Sequence, residues 1–273
     1  MLKKLLKQKK AIFGFAIVIF FIMLAAFAPE IAPNDPYEIN VANKLQAPSM
    51  HYWLGTDNLG RCIVSRIIYG ARASLLYSCT VLLVTLVISI PIGLFAGYAG
   101  GKTDDFIMRA IDVILAIPSF MLALAVAGTL GASAGNMILA MSFVWWAGYA
   151  RLIRGMTLKI RQEDFIMAAK SSGCLHSQII IKHILKNLAA PIITLAALEL
   201  GSIILAIASF SFIGLGAQPP TPEWGVMISD SKDYIQTQPQ LMIYPGMAIV
   251  IVVMGFNMLG EGLKNALGRE FYG

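Results

Sequence analysis

The sequence predicts an all-α membrane protein with six transmembrane helices, and three observations carry that prediction. Hydrophobic residues make up 58% of the 273 residues and charged residues 13%, with a mean hydropathy of +0.73, which is the composition of a membrane protein rather than a soluble domain. Six apolar stretches approach or exceed the roughly 20 residues that a helix needs to cross a bilayer. The basic residues gather in the segments between those stretches, as topology signals do.

The spans are placed at Ala11–Ala28, Ser74–Tyr98, Phe106–Leu130, Asn136–Arg151, Leu188–Gly214 and Leu241–Gly260. The fourth is the shortest. The first follows MLKKLLKQKK and ends in AFAP, a pattern that also fits a cleaved signal peptide. Its apolar run is long for a signal, and Pro29 would stand just after the cleavage point, so a retained anchor is expected. Pro91, Pro118 and Pro191 fall inside or at the ends of spans, where proline kinks a helix and frees carbonyls. Residues 1–73 read as an anchor helix with an outer loop, and residues 74–273 as a five-helix core.

Orientation follows from the basic residues. With the N-terminus inside, the cytoplasm holds Lys3, Lys4, Lys7, Lys9, Lys10, Lys102, Arg109, seven basic residues from Arg151 to Lys186, Lys264 and Arg269, which is 16 of 21. Lys44, Arg61, Arg66, Arg72 and Lys232 remain outside. The rule that basic loops stay inside selects this arrangement. The formal net charge of +6 belongs to that topology, so the expected surroundings are a lipid bilayer and not nucleic acid.

One segment between the fourth and fifth spans, EDFIMAAKSSGCLHSQIIIKHILKN (Glu163–Asn187), is charged and too short to be a domain. If it is helical from Phe165 to Ser172, then Phe165, Ala168, Ala169 and Ser172 recur at i, i+3, i+4 and i+7. They form one face with a single large anchor, which a partner can approach closely. Gly173 should stop that helix, because glycine accepts the left-handed backbone of a helix end. The plainer reading is an alanine-rich connection.

Two outer segments are longer than simple connections. Pro29 to Ala73 begins with PEIAPNDP, and Gly60 to Tyr69 within it has Ile63, Ile67 and Ile68 on one helical face. Leu215 to Gln240 carries Trp224 and Tyr234, rings suited to a membrane interface. Each is expected to line an entrance or meet a partner.

Enzymatic signatures are scarce. GASAG (Gly131–Gly135) has the Gly-x-Ser-x-Gly spacing of a nucleophile elbow, but lies between helical spans instead of joining a strand to a helix. There is no His-Glu-x-x-His zinc motif and no phosphate-binding loop, so the chain is not expected to hydrolyse ATP alone. Cys62, Cys79 and Cys174 form neither a paired framework nor a zinc pattern, and no metal site is assigned. Two acids fall within predicted spans, where a charge must be paired or face water. Asp112 has Arg109 three residues away as a partner, and Glu199, near the middle of its span, is the stronger pathway candidate.

Asp164 to Asn187 resembles the EAA loop of bacterial ABC-importer permeases, with Ala168 and Ala169, three further residues, Gly173, and then His183, Ile184 and Leu185 in register. Met167 stands where that family often has glutamate, and Lys186 where proline is frequent. The runs Trp53–Leu75, Phe210–Asp230 and Pro245–Leu267 are similar to the second permease of dipeptide, oligopeptide and nickel importers, with Cys62 in place of the usual aspartate.

The resemblance implies a type I importer permease in the bacterial cytoplasmic (inner) membrane. Its partners would be a homologous second permease, two ATP-binding subunits that hold ATP and magnesium, and an extracytoplasmic solute-binding protein. Asp164, Phe165, Ala168, Ala169, Ser172, Gly173 and His183 would form the cytoplasmic coupling segment that docks on an ATPase, transmitting movement without catalysing anything. A self-sufficient secondary transporter or channel is the alternative class, which inverted repeats would favour. Glu223–Pro239 and Arg161–Phe165 resemble the nickel permeases, so nickel, free or chelated, is the expected cargo, with short peptides as the alternative.

Overall fold

The computed structural model describes residues 8–271, with side chains to residue 266. Lys3, Lys4 and Lys7, and the side chain of Arg269, lie outside the described residues. Helix α1 (Lys9–Ala26) leads through a turn of helix and a mostly irregular stretch into α2 (Ile63–Ala99). Then come α3 (Gly101–Leu115), α4 (Ser119–Leu130), α5 (Ala134–Arg161) and the short α6 (Asp164–Ser171). The chain becomes helical again at His176, passes through a π-helical stretch at Ile179–Leu185, and continues as α7 (Lys186–Ile213). α8 (Trp224–Asp230) and α9 (Gln240–Phe271) complete it, and no strand occurs among the described residues.

Four helical stretches are long and apolar enough to cross a membrane: Lys9–Ala26, Ile63–Ala99, His176–Ile213 and Gln240–Ala266. A fifth is reached if α3 and α4 count as one bent span. The third predicted span is therefore not straight. It breaks at Ala116–Pro118 with a bend of 77°, because proline lacks an N–H and disfavours helical geometry in the residue before it.

The fourth predicted span lies within α5, a longer and mixed helix. Beyond Arg151 its charges would interrupt a purely apolar run, yet Ile153, Thr157 and Ile160 stay buried on one face. That i, i+4, i+7 stripe keeps the helix packed while Arg154, Lys159 and Arg161 project elsewhere.

α2 differs most from its sequence reading. It runs unbroken through residues 73 and 74, where an outer loop was expected to give way to the core, because Ile67, Ala71 and Leu75 recur at i, i+4 and i+8 and pack against one apolar cluster. At 37 residues it is about 55 Å long. α2 packs along α5 at very short range. A Cβ on Gly93 would lie 2.7 Å from the Ala150 carbonyl oxygen, and one on Gly97 would lie 2.7 Å from Thr157 Cβ. Small residues allow this approach, the usual means of joining helices where lipid removes the hydrophobic drive.

Candidate functional site

A cavity of about 340 Å³ opens between α5, α7 and the broken α3–α4 pair. Helical period explains its walls. Trp145, Gly148, Tyr149 and Leu152 line it from α5 at i, i+3, i+4 and i+7, and Leu195, Glu199, Ser202 and Ala206 line it from α7 at i, i+4, i+7 and i+11. Leu115 and Ser119 contribute from either side of the break. The break at Ala116–Pro118 thus borders the cavity.

Among the described residues that line the cavity, Glu199 is the only carboxylate, and Tyr149 shares the wall with it from the facing helix. Asp112 is not in the cavity. It pairs with Arg151 across from α5 instead of with Arg109 on its own helix, and both side chains are exposed. The neighbouring Asp104 is held by Arg154, with Nε 3.0 Å from one carboxylate oxygen and an Nη 2.5 Å from the other. α3 is thus clamped to α5 by charge at two turns of the helix.

The segment after α5 folds as a compact cap on one end of α2. α6 starts at Asp164, whose charge suits a helix N-terminus. It ends as expected at Gly173, with φ +75°. The Cys174 N–H donates to the Ala169 carbonyl and the Gly173 N–H to the Lys170 carbonyl, the paired bonds of a Schellman stop.

The predicted face divides in two. Phe165, Ala168, Ser172 and Gly173 are exposed, but Ala169 is 8% exposed and packs inward with Ile166, Ile160, Ile179 and Ile184. Ala169 therefore seats α6 on the chain's own core. His183 is half-buried in the π-helical stretch, its carbonyl accepting from Asn187 Nδ2 at 2.7 Å. Tyr98, at the end of α2, fastens the cap. Its ring lies 5.7 Å from Lys170 Nζ and 6.0 Å from the Arg161 guanidinium, and its hydroxyl is 2.6 Å from His176 Nδ1.

At the opposite end of α2, the two long connecting segments, 29–62 and 215–240, form one locked unit with its first turns. Arg61 Nε lies 2.7 Å from Asp57 and its Nη2 3.2 Å from Asp230, while Arg66 lies 3.4 Å from Asp57 and 3.7 Å from Asp230. Both arginines are 1% exposed. Ser74 donates to Glu223 at 3.1 Å, and Trp224 Nε1 donates to the Ile67 carbonyl at 3.1 Å. Trp224 is fully buried, so it is a core anchor and not the membrane-interface ring expected. Ser133 of GASAG is explained locally, since its hydroxyl accepts the Asn136 N–H at 3.1 Å and caps α5.

Residues 89–271 match the family of binding-protein-dependent transport system inner membrane components. Residues 1–48 match the N-terminal transmembrane domain of oligopeptide transport permease C. Over 265 residues the chain is 45% identical to the dipeptide transport system permease protein DppC of Alkalihalophilus pseudofirmus, covering 97% of this chain and 87% of that protein.

The chain belongs to the ABC-importer permeases of the dipeptide and nickel family. This permease is also 39% identical over 235 residues to the nickel transport system permease protein NikC of Escherichia coli, covering 86% of this chain and 85% of that one. A chain of the MetNI methionine ABC transporter, solved in inward-facing conformations, shares the permease fold with TM-score 0.63 and 17% identity, over 75% of this chain and 97% of that chain.

The lean towards nickel is not supported by these relatives, because the dipeptide permease is the more similar. The structure supplies a reason. In the stretch that suggested nickel, Glu223 and Trp224 are fully buried and Val226 and Met227 nearly so, within the locked unit of this permease and away from the cavity. These four residues line no part of the cavity. Sequence reasoning found Glu199 but missed Trp145, Gly148, Tyr149 and Leu152, although their i, i+3, i+4, i+7 spacing inside the fourth span was available as a signal.

Proposed function

We propose that this chain is one permease subunit of an ATP-driven importer of short peptides, with its N-terminus in the cytoplasm of a bacterial cell. It crosses the membrane six times, through α1, α2, the bent α3–α4 pair, α5, His176–Ile213 and α9. A homologous permease completes the translocation path, a solute-binding protein delivers cargo outside, and two ATPase subunits hold ATP and magnesium. α6 is the coupling helix. It presents Phe165, Ala168 and Ser172 to the ATPase, while Ala169 and Ile166 hold it to this chain.

One observation carries the coupling assignment: α6 is buried on its inner side by the chain's own core, yet leaves Phe165 42% and Met167 53% exposed at the end of the bundle. An apolar anchor left open beside a firmly seated backbone suits a partner's cleft. Peptide cargo is supported by the 45% identical dipeptide permease. It is also supported by the 38% identical probable D,D-dipeptide permease of Escherichia coli and glutathione permease of Pectobacterium atrosepticum.

Reconstitution with the cognate ATPases and binding protein tests this reading. ATP-dependent uptake of a radiolabelled dipeptide is expected, and Ala168→Glu should abolish both uptake and ATPase co-purification while leaving the yield of folded permease unchanged. Nickel uptake without dipeptide uptake would reassign the cargo. Transport by the permease without any ATPase would instead point to a secondary transporter or channel.

A further inference from the structure

Resting on the peptide-importer reading, we propose that the cavity between α5, α7 and the α3–α4 break is a subsite for the cationic amino terminus of the cargo. In it Glu199 is the counter-charge, and Trp145 and Tyr149 are the ring walls. The lining has one carboxylate and no Lys, Arg or His. Arg151, beside Leu152, is already tied to Asp112. The wall therefore carries one uncompensated negative charge at a depth where a lone charge is costly.

Tyr149 lines the same cavity as the carboxylate, and its single hydroxyl can fill at most one of the roughly four acceptor positions of Glu199. The others are free for a ligand. A primary ammonium presents three N–H donors and is attracted to the faces of tryptophan and tyrosine. Glu199 and the hydroxyls of Ser119 and Ser202 supply acceptors on the same wall. The volume of about 340 Å³ is at the small end of ligand pockets, suited to a few cargo groups and not to a long chain.

A bare divalent ion is a poorer match, since it seeks several charged or imidazole ligands. Among the described residues no three His, Cys, Asp or Glu side chains come together. The same charge repels a peptide's terminal carboxylate, so the subsite also sets which end of the cargo enters it.

The test uses the complete importer with Cys62, Cys79 and Cys174 replaced and Ala206→Cys introduced as a reporter on the cavity wall. Its modification rates by cationic trimethylammonium-ethyl and anionic sulfonatoethyl methanethiosulfonate are compared. Glu199→Gln should lower the cationic-to-anionic rate ratio about tenfold, the effect of removing one nearby charge, and Glu199→Asp should largely keep it. In transport, Glu199→Gln should reduce uptake of a dipeptide with a free amino terminus at least tenfold without loss of ATPase co-purification.

An unchanged rate ratio in Glu199→Gln overturns the subsite whatever the cargo. Equal wild-type and Glu199→Gln uptake of the free dipeptide overturns it as well. A tenfold change in the ratio with no dipeptide uptake by the wild type keeps the cation subsite and removes the peptide reading.

Discussion

Around Arg61 and Arg66, where α2 begins, the charges are buried and matched, whereas around Tyr98, where it ends, the charges are largely exposed and gathered on one aromatic ring. At the first end two arginines face Asp57 and Asp230 at 1% exposure, and neighbouring backbones touch without room for a methyl group. At the second, Lys170 and His176 are exposed, and Gly173 has open space beside it. Buried pairs cannot be separated cheaply, whereas exposed cation–ring contacts are worth about 0.5–1 kcal/mol each. α2 is therefore held by buried ion pairs at one end, whereas at the other its polar ties are weak and the cap that carries α6 is held mainly by apolar contacts among Leu94, Ile160, Ile166, Ala169, Ile179 and Ile184.

The most severe way to break this contrast is at Arg61. Arg61→Leu leaves Asp57 and Asp230 with Arg66 alone and should cost about 3–5 kcal/mol, the usual penalty for removing one partner of a buried pair. Thermal unfolding of the purified permease in detergent reads this directly. A midpoint equal to wild type would mean that the network is not an anchor.

Gly225→Ala should come next. Its Cβ would stand 2.3 Å from the Ala208 carbonyl oxygen and 2.6 Å from Ala208 Cα, so α7 and α8 must part. Overpacking of this kind costs about 1–3 kcal/mol. Gly173→Ala, at the other end, meets nothing within 4 Å and should cost only its left-handed backbone at φ +75°, about 1–2 kcal/mol. The two glycines measured side by side sharpen the comparison, and equal losses from the same cause would erase it.

The smallest effect is expected at Tyr98. Tyr98→Phe removes the hydroxyl bond to His176 and keeps the ring between Lys170 and Arg161, a loss of about 0.5–1 kcal/mol. Tyr98→Leu removes the ring contacts as well. Global unfolding should barely shift in either variant, but trypsin cleavage after Lys170 should quicken, and more in the leucine variant, because local opening is what the ring resists. Cleavage at the wild-type rate in both would show that Tyr98 does not hold the cap.

Much of the architecture was legible because its signals are local. An apolar run announces a helix in lipid, since every backbone group must be satisfied within the helix itself. Gly173 announced its stop because few other residues tolerate that backbone. The face of α6 was not legible in the same way. Phe165, Ile166, Met167, Ala168 and Ala169 place apolar side chains nearly all round the helix, so periodicity selects no single inward side. Contact with Ile160, Ile179 and Ile184 turns Ala169 inward.

The same distinction separates what the sequence determined from what needed the folded chain. Composition and charge placement sufficed for a helical membrane protein, and the motif order sufficed for its family, because these properties belong to residues taken singly or in short runs. Partner choice does not. Asp112 had Arg109 one turn away, yet Arg151 on another helix is its partner. Asp57 meets Asp230 through two arginines across more than half the chain. Glu199 gained meaning only when a bend at Pro118 and a stripe on α5 enclosed it. Charges act through space at a few ångströms, and only tertiary structure decides which charges come that close.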